Sequence, residues 1–86
     1  MGTKSAPSQY DCYANLEDDE PYFVLMARDR DAPSLVRQWA NCREHAIRAG
    51  QKPVEDRAMV QEALDCADAM EAWRYVKRGD PVEQPS

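Results

Sequence analysis

The chain has 86 residues, with 16 acidic against 11 basic side chains and a formal net charge of −5 at pH 7. This length allows one domain at most, and such a domain buries only about 60–65% of its unfolded surface. The acidic balance disfavours duplex nucleic acid, which needs a broad basic face, and no stretch approaches the ~20 apolar residues of a membrane span.

The number and spacing of the cysteines indicate whether the chain is secreted or cytoplasmic. Cys12, Cys42 and Cys66 are odd in number and widely spaced, whereas a secreted disulfide scaffold is denser and usually even. No apolar run of signal-peptide length stands near Met1. The sequence therefore predicts a cytoplasmic protein without disulfides, in which self-association supplements a small core.

Composition divides the chain into three parts. Residues 1–9 and 79–86 are rich in Pro, Gly, Ser and Gln and have no apolar periodicity, which predicts a disordered N-terminus and a disordered tail. Residues 10–78 are predicted to form a single helical-hairpin domain with an N-terminal extended segment.

The first apolar segment covers residues 22–27 and follows the helix-breaking, acidic residues 18–21. Its aromatic and β-branched residues predict a short strand or an extended segment. A lone strand leaves its backbone groups unpaired. Two partners stay open for it: residues 10–13, in a hairpin through the acidic turn, or the same strand of a second subunit.

Residues 31–50 predict the first amphipathic helix. Asp31 is a favourable N-cap residue, and Pro33 is tolerated in the first turn. Gly50 is typical of the position that follows the last turn. Seven apolar residues fall on one stripe at helical spacing: Leu35, Val36, Trp39, Ala40, Cys42, Ala46 and Ile47.

The second helix is predicted to begin with Pro53 at its first position and to end at Gly79. Its apolar stripe consists of Met59, Val60, Ala63, Cys66, Ala67, Met70, Trp73 and Val76. Five carboxylates mostly lie opposite this stripe, as expected of a solvated face: Glu55, Glu62, Asp65, Asp68 and Glu71.

The short connection makes the two helices antiparallel neighbours. With the turn centred near Gln51, the numbers of facing residues add to about 102, which predicts Trp39 near Ala63 and Leu35 near Ala67, large against small. The predicted fold is mainly α: an antiparallel helical hairpin preceded by a short β-strand or hairpin segment, in a homo-oligomer.

The second helix is the longer one. Its residues from Met70 onward, including Trp73 and Val76, extend past the start of the first helix. Either residues 22–26 or a second subunit must cover this overhang.

Reactive side chains form no complete motif. Cys42 and His45 have a spacing that can place two ligands on one metal, but the register keeps Cys66 roughly two turns, about 9 Å, from Cys42. A Cys–His pair here lacks a third orienting group, and three glycines form no phosphate-binding loop. The sequence predicts no catalytic residue, no cofactor, no metal site and no enzyme.

Arginines around the first helix form a candidate ligand site. A helix N-terminus favours anions, arginine forks bind phosphate in a bidentate manner, and Trp39 or Tyr22 could stack on a base. The pattern suggests a small anionic nucleotide as the ligand of Arg28, Arg30, Arg37 and Arg43. Alternatively, these arginines pair with acids of the second helix or with neighbouring aspartates.

A candidate partner-binding surface combines tyrosines, the acidic turn and the overhang. Acidic patches that bear tyrosines can imitate nucleic acid or engage basic proteins. Alternatively, the tyrosines cover the core and the acids form a solvated turn. The predicted residues are Tyr10, Tyr13, Asp18, Asp19, Glu20, Met70 and Trp73, with Tyr22 beside them.

Several runs carry a resemblance: Tyr-Asp-Cys-Tyr at 10–13, Asp-Glu-Pro-Tyr-Phe-Val-Leu-Met-Ala-Arg-Asp at 19–29, Ala-Pro at 32–33, Leu-Val-Arg at 35–37, Trp-Ala at 39–40 and Cys-Ala-Asp-Ala-Met-Glu-Ala-Trp at 66–73. Over roughly residues 10–74 the chain resembles a group of small accessory proteins of tailed phages and prophages.

The resemblance implies a setting, the host cytoplasm, and by association a role in counter-defence. Such a protein inhibits a host immune component by stoichiometric protein binding, or sequesters a nucleotide signal at subunit interfaces. The alternative is a structural or assembly component of the phage particle.

Overall fold

A computed structural model describes residues 1–10 and 12–79 of the chain. The fold is mainly helical: a single turn α1 (Cys12–Asn15), the helix α2 (Ala32–Arg48), a 3-10 turn (Val54–Asp56) and the helix α3 (Arg57–Arg78). The two long helices pack against each other, so the predicted helical hairpin is confirmed. No helix among the described residues is long and apolar enough to cross a bilayer.

The ends of α2 follow the predicted signals. Asp31 is the N-cap residue, although its side chain makes no capping hydrogen bond, and a proline stands in the first turn. At the other end Gly50 has a φ of 76°, a left-handed conformation that glycine adopts without steric cost. The N–H of Gly50 donates to the Ile47 carbonyl at 3.0 Å, which ends the helix.

The start of α3 differs slightly from the prediction. Pro53 is not its first helical residue: it has an extended backbone, with φ −69° and ψ 150°, and precedes the 3-10 turn. The predicted end is confirmed, because Gly79 has a φ of 68° and its N–H donates to the Tyr75 carbonyl at 3.0 Å.

Ion pairs across the hairpin fix the register. Arg43 pairs with Asp56 at 3.2 Å near the turn, and Arg37 pairs with Asp68 at 2.8 Å further along. The residue numbers of these pairs add to 99 and 105, on either side of the predicted value. The antiparallel register is therefore close to the one that the connection length requires.

The filling of the helix interface differs from the prediction. Its buried apolar residues are mostly alanines: Ala32, Ala40, Ile47, Val60, Ala63 and Ala67. Trp39 and Leu35, expected to pack on alanines of α3, remain 39% and 44% exposed. The predicted stripe is wider than the contact line between two helices, so only its centre is buried and its large side chains lie at the edge.

The segment before α2 packs over the hairpin without forming a strand. Residues 20–26 carry no regular secondary structure, and the one isolated β-bridge among the described residues joins Gly2 and Pro7. The predicted strand and its pairing in a subunit interface are thus not confirmed. The hairpin alternative is not formed either, because α1 begins at Cys12 within its first arm.

The segment lies beside only the first residue of the predicted overhang, Met70. Tyr22, Phe23, Val24 and Leu25 line one wall of a groove of about 600 Å³, whose floor is formed by Val36, Cys66 and Met70. The groove also borders residues of the first turn of the chain, where the Ser8 N–H donates to the Met1 carbonyl at 3.1 Å. The disorder predicted for residues 1–9 stays a prediction; of the predicted tail, residues 80–86 lie outside the described residues.

Candidate functional site

Arg37 is held by two acids of α3. Its guanidinium donates to the Asp68 carboxylate at 2.8 Å and pairs with Glu71. The hydrogen bond with Asp68 is the main cause that raises the pKa of Arg37 above its ordinary value. Glu71 is only 7% exposed, which corrects its assignment to the solvated face: it follows Ala67 by four residues and so continues the buried stripe.

Arg43 is held at the other end of the hairpin. It donates to Asp56 at 3.2 Å, and its guanidinium lies over the Trp39 ring, 5.3 Å from the ring centroid. Asp56 and Asp68 are twelve residues apart, which corresponds to about 18 Å along a helix. Arg37 and Arg43 of one chain therefore lie too far apart to grip one phosphate group together.

Arg28 and Arg30 lie in the turn that leads into α2, and both are exposed. Asp29 within this turn accepts the N–H of Asp31 on its side-chain oxygen at 3.0 Å. Of the four predicted ligand-binding arginines, the two on α2 are thus engaged by acids of the hairpin, as the alternative interpretation of the sequence expects.

The tyrosines lie partly together at the surface. The rings of Tyr13 and Tyr22 meet edge to face, with centroids 6.2 Å apart and planes at 76°. They are 72% and 56% exposed, and both also line the groove over Val36 and Met70. Tyr10 is half-buried, and its backbone N–H donates to the Ser8 hydroxyl at 2.8 Å.

The acidic turn between α1 and the extended segment is closed by its own hydrogen bonds. The Glu20 N–H donates to the Glu17 carbonyl at 3.1 Å, and the Glu17 N–H donates to the Glu20 carboxylate at 3.2 Å. Asp18 and Asp19 form the tip, and all four side chains are exposed. The turn therefore presents its charges outward on an ordered backbone.

The overhang residues divide between groove and surface. Met70 is half-buried in the groove floor. Trp73, one turn later, is 38% exposed, and the guanidinium of Arg78 lies over its ring at 5.5 Å from the centroid. Val76 is 75% exposed, so the overhang is covered only in part.

Phe23 is an exposed residue that the sequence analysis did not assign to a site. It is 83% exposed, more than any other large apolar side chain among the described residues. Its neighbours Tyr22 and Val24 are both 56% exposed, so the side chains of this segment do not alternate between buried and exposed.

The reactive groups stay apart. Cys42 is exposed and Cys66 half-buried, both as free thiols. Within residues 1–10 and 12–79, no three His, Cys, Asp or Glu side chains come together to hold a metal ion.

Comparison with known proteins finds no match for this chain. No family model matches the chain, and neither a curated protein nor a solved structure matches it.

Proposed function

We propose that this chain is a non-enzymatic phage accessory protein that acts in counter-defence, as a homo-oligomer in the host cytoplasm. It acts by stoichiometric binding to a basic surface of a host immune protein. The acidic–tyrosine surface, defined as residues 17–20 with Tyr13 and Tyr22, makes the contact. The resemblance of residues 10–74 supports the phage setting.

The observation that carries the proposal is the exposure of this surface. Tyr13 and Tyr22 touch each other and are still more than half exposed. Tyrosine is enriched in protein interfaces because its ring buries a large area and its hydroxyl stays hydrogen-bonded.

Charge selects the partner. The turn holds four carboxylates at residues 17–20 without a basic residue among them. Carboxylates that face solvent accelerate encounter with a basic surface and repel an acidic one. A basic face, such as one that a host protein uses for nucleic acid, is the matching chemistry.

The geometry favours protein binding over nucleotide sequestration. A nucleotide held by Arg37 would have to displace both Asp68 and Glu71, and the latter is a buried carboxylate. Leaving a buried charge without its partner costs several kcal/mol. A panel of cyclic di- and trinucleotides should therefore leave the melting temperature unchanged; a rise of several degrees with any of them would favour sequestration instead.

The test is affinity capture from infected cells with a charge-reversed variant. Wild-type protein should retain a host protein in fixed stoichiometry, and the variant Asp18→Lys, Asp19→Lys, Glu20→Lys should release it. The matched control is Asp65→Lys, a charge reversal at an exposed position of α3, which should retain it. Equal retention by wild-type and charge-reversed protein, after reconstitution from purified components, would overturn the proposal.

A further inference from the structure

A groove of about 600 Å³ lies next to the acidic–tyrosine surface. Its floor consists of Val36 from α2 with Cys66 and Met70 from α3, so the groove lies over the hairpin. Phe23 and Val24 form part of its wall, and both are exposed. The volume falls within the range of about 300–1,000 Å³ that is typical of ligand sites, and the exposed wall extends the apolar surface beyond the groove itself.

The groove and the acidic–tyrosine surface share two side chains. Tyr13 and Tyr22 line the groove, and the acidic turn is part of the chain that connects them. Glu20 precedes Tyr22 by two residues, so their Cα atoms are at most about 7 Å apart. An occupant of the groove therefore lies next to the carboxylates of the turn, and both surfaces can belong to one contact.

Charge decides which kind of occupant fits. Among the described residues that line the groove, Lys4 is the one with a charged side chain. It is outnumbered by the four exposed carboxylates at residues 17–20. The combined surface therefore attracts a basic occupant and repels an acidic one.

The lining of the groove favours a helix over an added strand. A strand docks on a sheet edge with unpaired backbone groups, and the described part of the chain contains no strand beyond the isolated bridge of Gly2 and Pro7. The floor and wall offer apolar side chains instead, as do the grooves that bind one face of an amphipathic helix. A helix also carries polar residues beside its apolar face, and these can reach the acidic turn.

We infer that the groove binds the apolar face of a basic amphipathic helix, whose cationic side chains lie against the acidic turn. The inference rests on the proposed function and adds to it the form and the apolar anchor of the partner. Two thiols provide the readout. Cys66 lies in the floor and Cys42 is exposed on α2, so an occupied groove covers the first and leaves the second in water.

The test measures the alkylation of each cysteine by iodoacetamide, resolved by mass spectrometry of peptide fragments. The probe is a synthetic helix of about 18 residues, or five turns, with leucines on one face and lysines on the other. At about ten times its dissociation constant it should slow the alkylation of Cys66 about tenfold, because only the free chain reacts, and leave that of Cys42 unchanged. The control peptide, with glutamates in place of the lysines, should change neither rate.

Two matched variants localise the effect. Val24, in the groove wall, and Val54, in the 3-10 turn, are 56% and 58% exposed, so each can be replaced without emptying the core. Val24→Asn removes apolar area from the contact and should weaken binding of the lysine peptide about threefold to tenfold. Val54→Asn should leave that binding unchanged.

Several results would overturn the inference: no protection of Cys66 by the lysine peptide, equal protection by both peptides, or equal weakening by both variants. Protection that appears when the chain alone is concentrated would also overturn it, by assigning the groove to a second copy. Host capture tests the proposed function separately. Peptide binding without charge-dependent capture would contradict that function and leave the groove assignment standing, whereas capture without protection of Cys66 would overturn the groove assignment alone.

Discussion

The interface between α2 and α3 and the apolar surface outside it use side chains of opposite size. Among the residues that the structure describes, the buried side chains of alanine, isoleucine and valine number six, four of them alanines, and no large side chain is fully buried. Outside, six of the seven aromatic residues remain more than a third exposed. Small residues let two helices approach closely but remove little area from water. The hairpin is therefore closed by close approach and ion pairs, and its large side chains stay at the surface.

Removing Arg37 should break the interface most severely. Arg37→Ala leaves the buried carboxylate of Glu71 without its partner, and we expect a loss of about 3 kcal/mol of unfolding free energy, the lower end for a buried pair because Arg37 is partly exposed. Urea denaturation measures it. The control Asp68→Asn removes an exposed partner and should cost less than about 1 kcal/mol; equal losses would show that Glu71 is not the important acid.

Enlarging an interface alanine should cause the second-largest loss of stability. Ala67 has no exposed surface, so Ala67→Leu forces the helices apart and should cost about 1–3 kcal/mol. Ala69→Leu, two residues along α3 and exposed, should stay within about 0.5 kcal/mol of wild type. Thermal unfolding of the two variants compares them, and similar melting temperatures would contradict the close packing of alanines.

The sequence predicted the hairpin, its register and its glycine ends, because helix periodicity, Gly50 and Gly79 are local signals. It did not predict which apolar residues the interface buries. Trp39 and Ala40 are adjacent in one wide stripe, and only the position of the second helix decides which of them faces it. The sequence offered the pairing of Arg37 with acids of the second helix as an alternative, but it did not predict that Glu71 is buried, since an acid next to an apolar stripe looks solvated until a partner is placed beside it.

Truncating the most exposed aromatic residue should affect folding very little. Phe23 is 83% exposed, so Phe23→Ser should change the unfolding free energy of the monomer by no more than about 0.5 kcal/mol. Denaturation at low protein concentration measures this effect alone. A loss of 2 kcal/mol, about what a buried phenylalanine contributes, would place Phe23 in the core and remove the contrast.

The smallest effect concerns the ion pairs at the rim of the interface. The hydrogen bond from Arg57 is the main cause that lowers the pKa of Glu44 below its ordinary value. The pKa of Glu44 is lower in the folded than in the unfolded chain. The pair therefore stabilises the fold fully at pH values above the ordinary glutamate pKa of 4.5. This stabilisation is lost as the pH falls through the folded pKa.

Side-chain NMR titration tests this assignment. Arg57→Gln should raise the pKa of Glu44 towards its ordinary value. Arg48→Gln removes the longer contact, at 3.4 Å, and should raise it less. An equal rise in both variants would contradict the dominant role of Arg57.

The contrast between small buried and large exposed side chains is tested most directly at Trp39. In a Trp73→Phe variant, Trp39 is the only tryptophan, and acrylamide quenching of its fluorescence reports its exposure. At protein concentrations where light scattering shows a monomer we expect strong quenching, because Trp39 is 39% exposed. Quenching as weak as that of a buried indole would contradict the exposure of the large side chains.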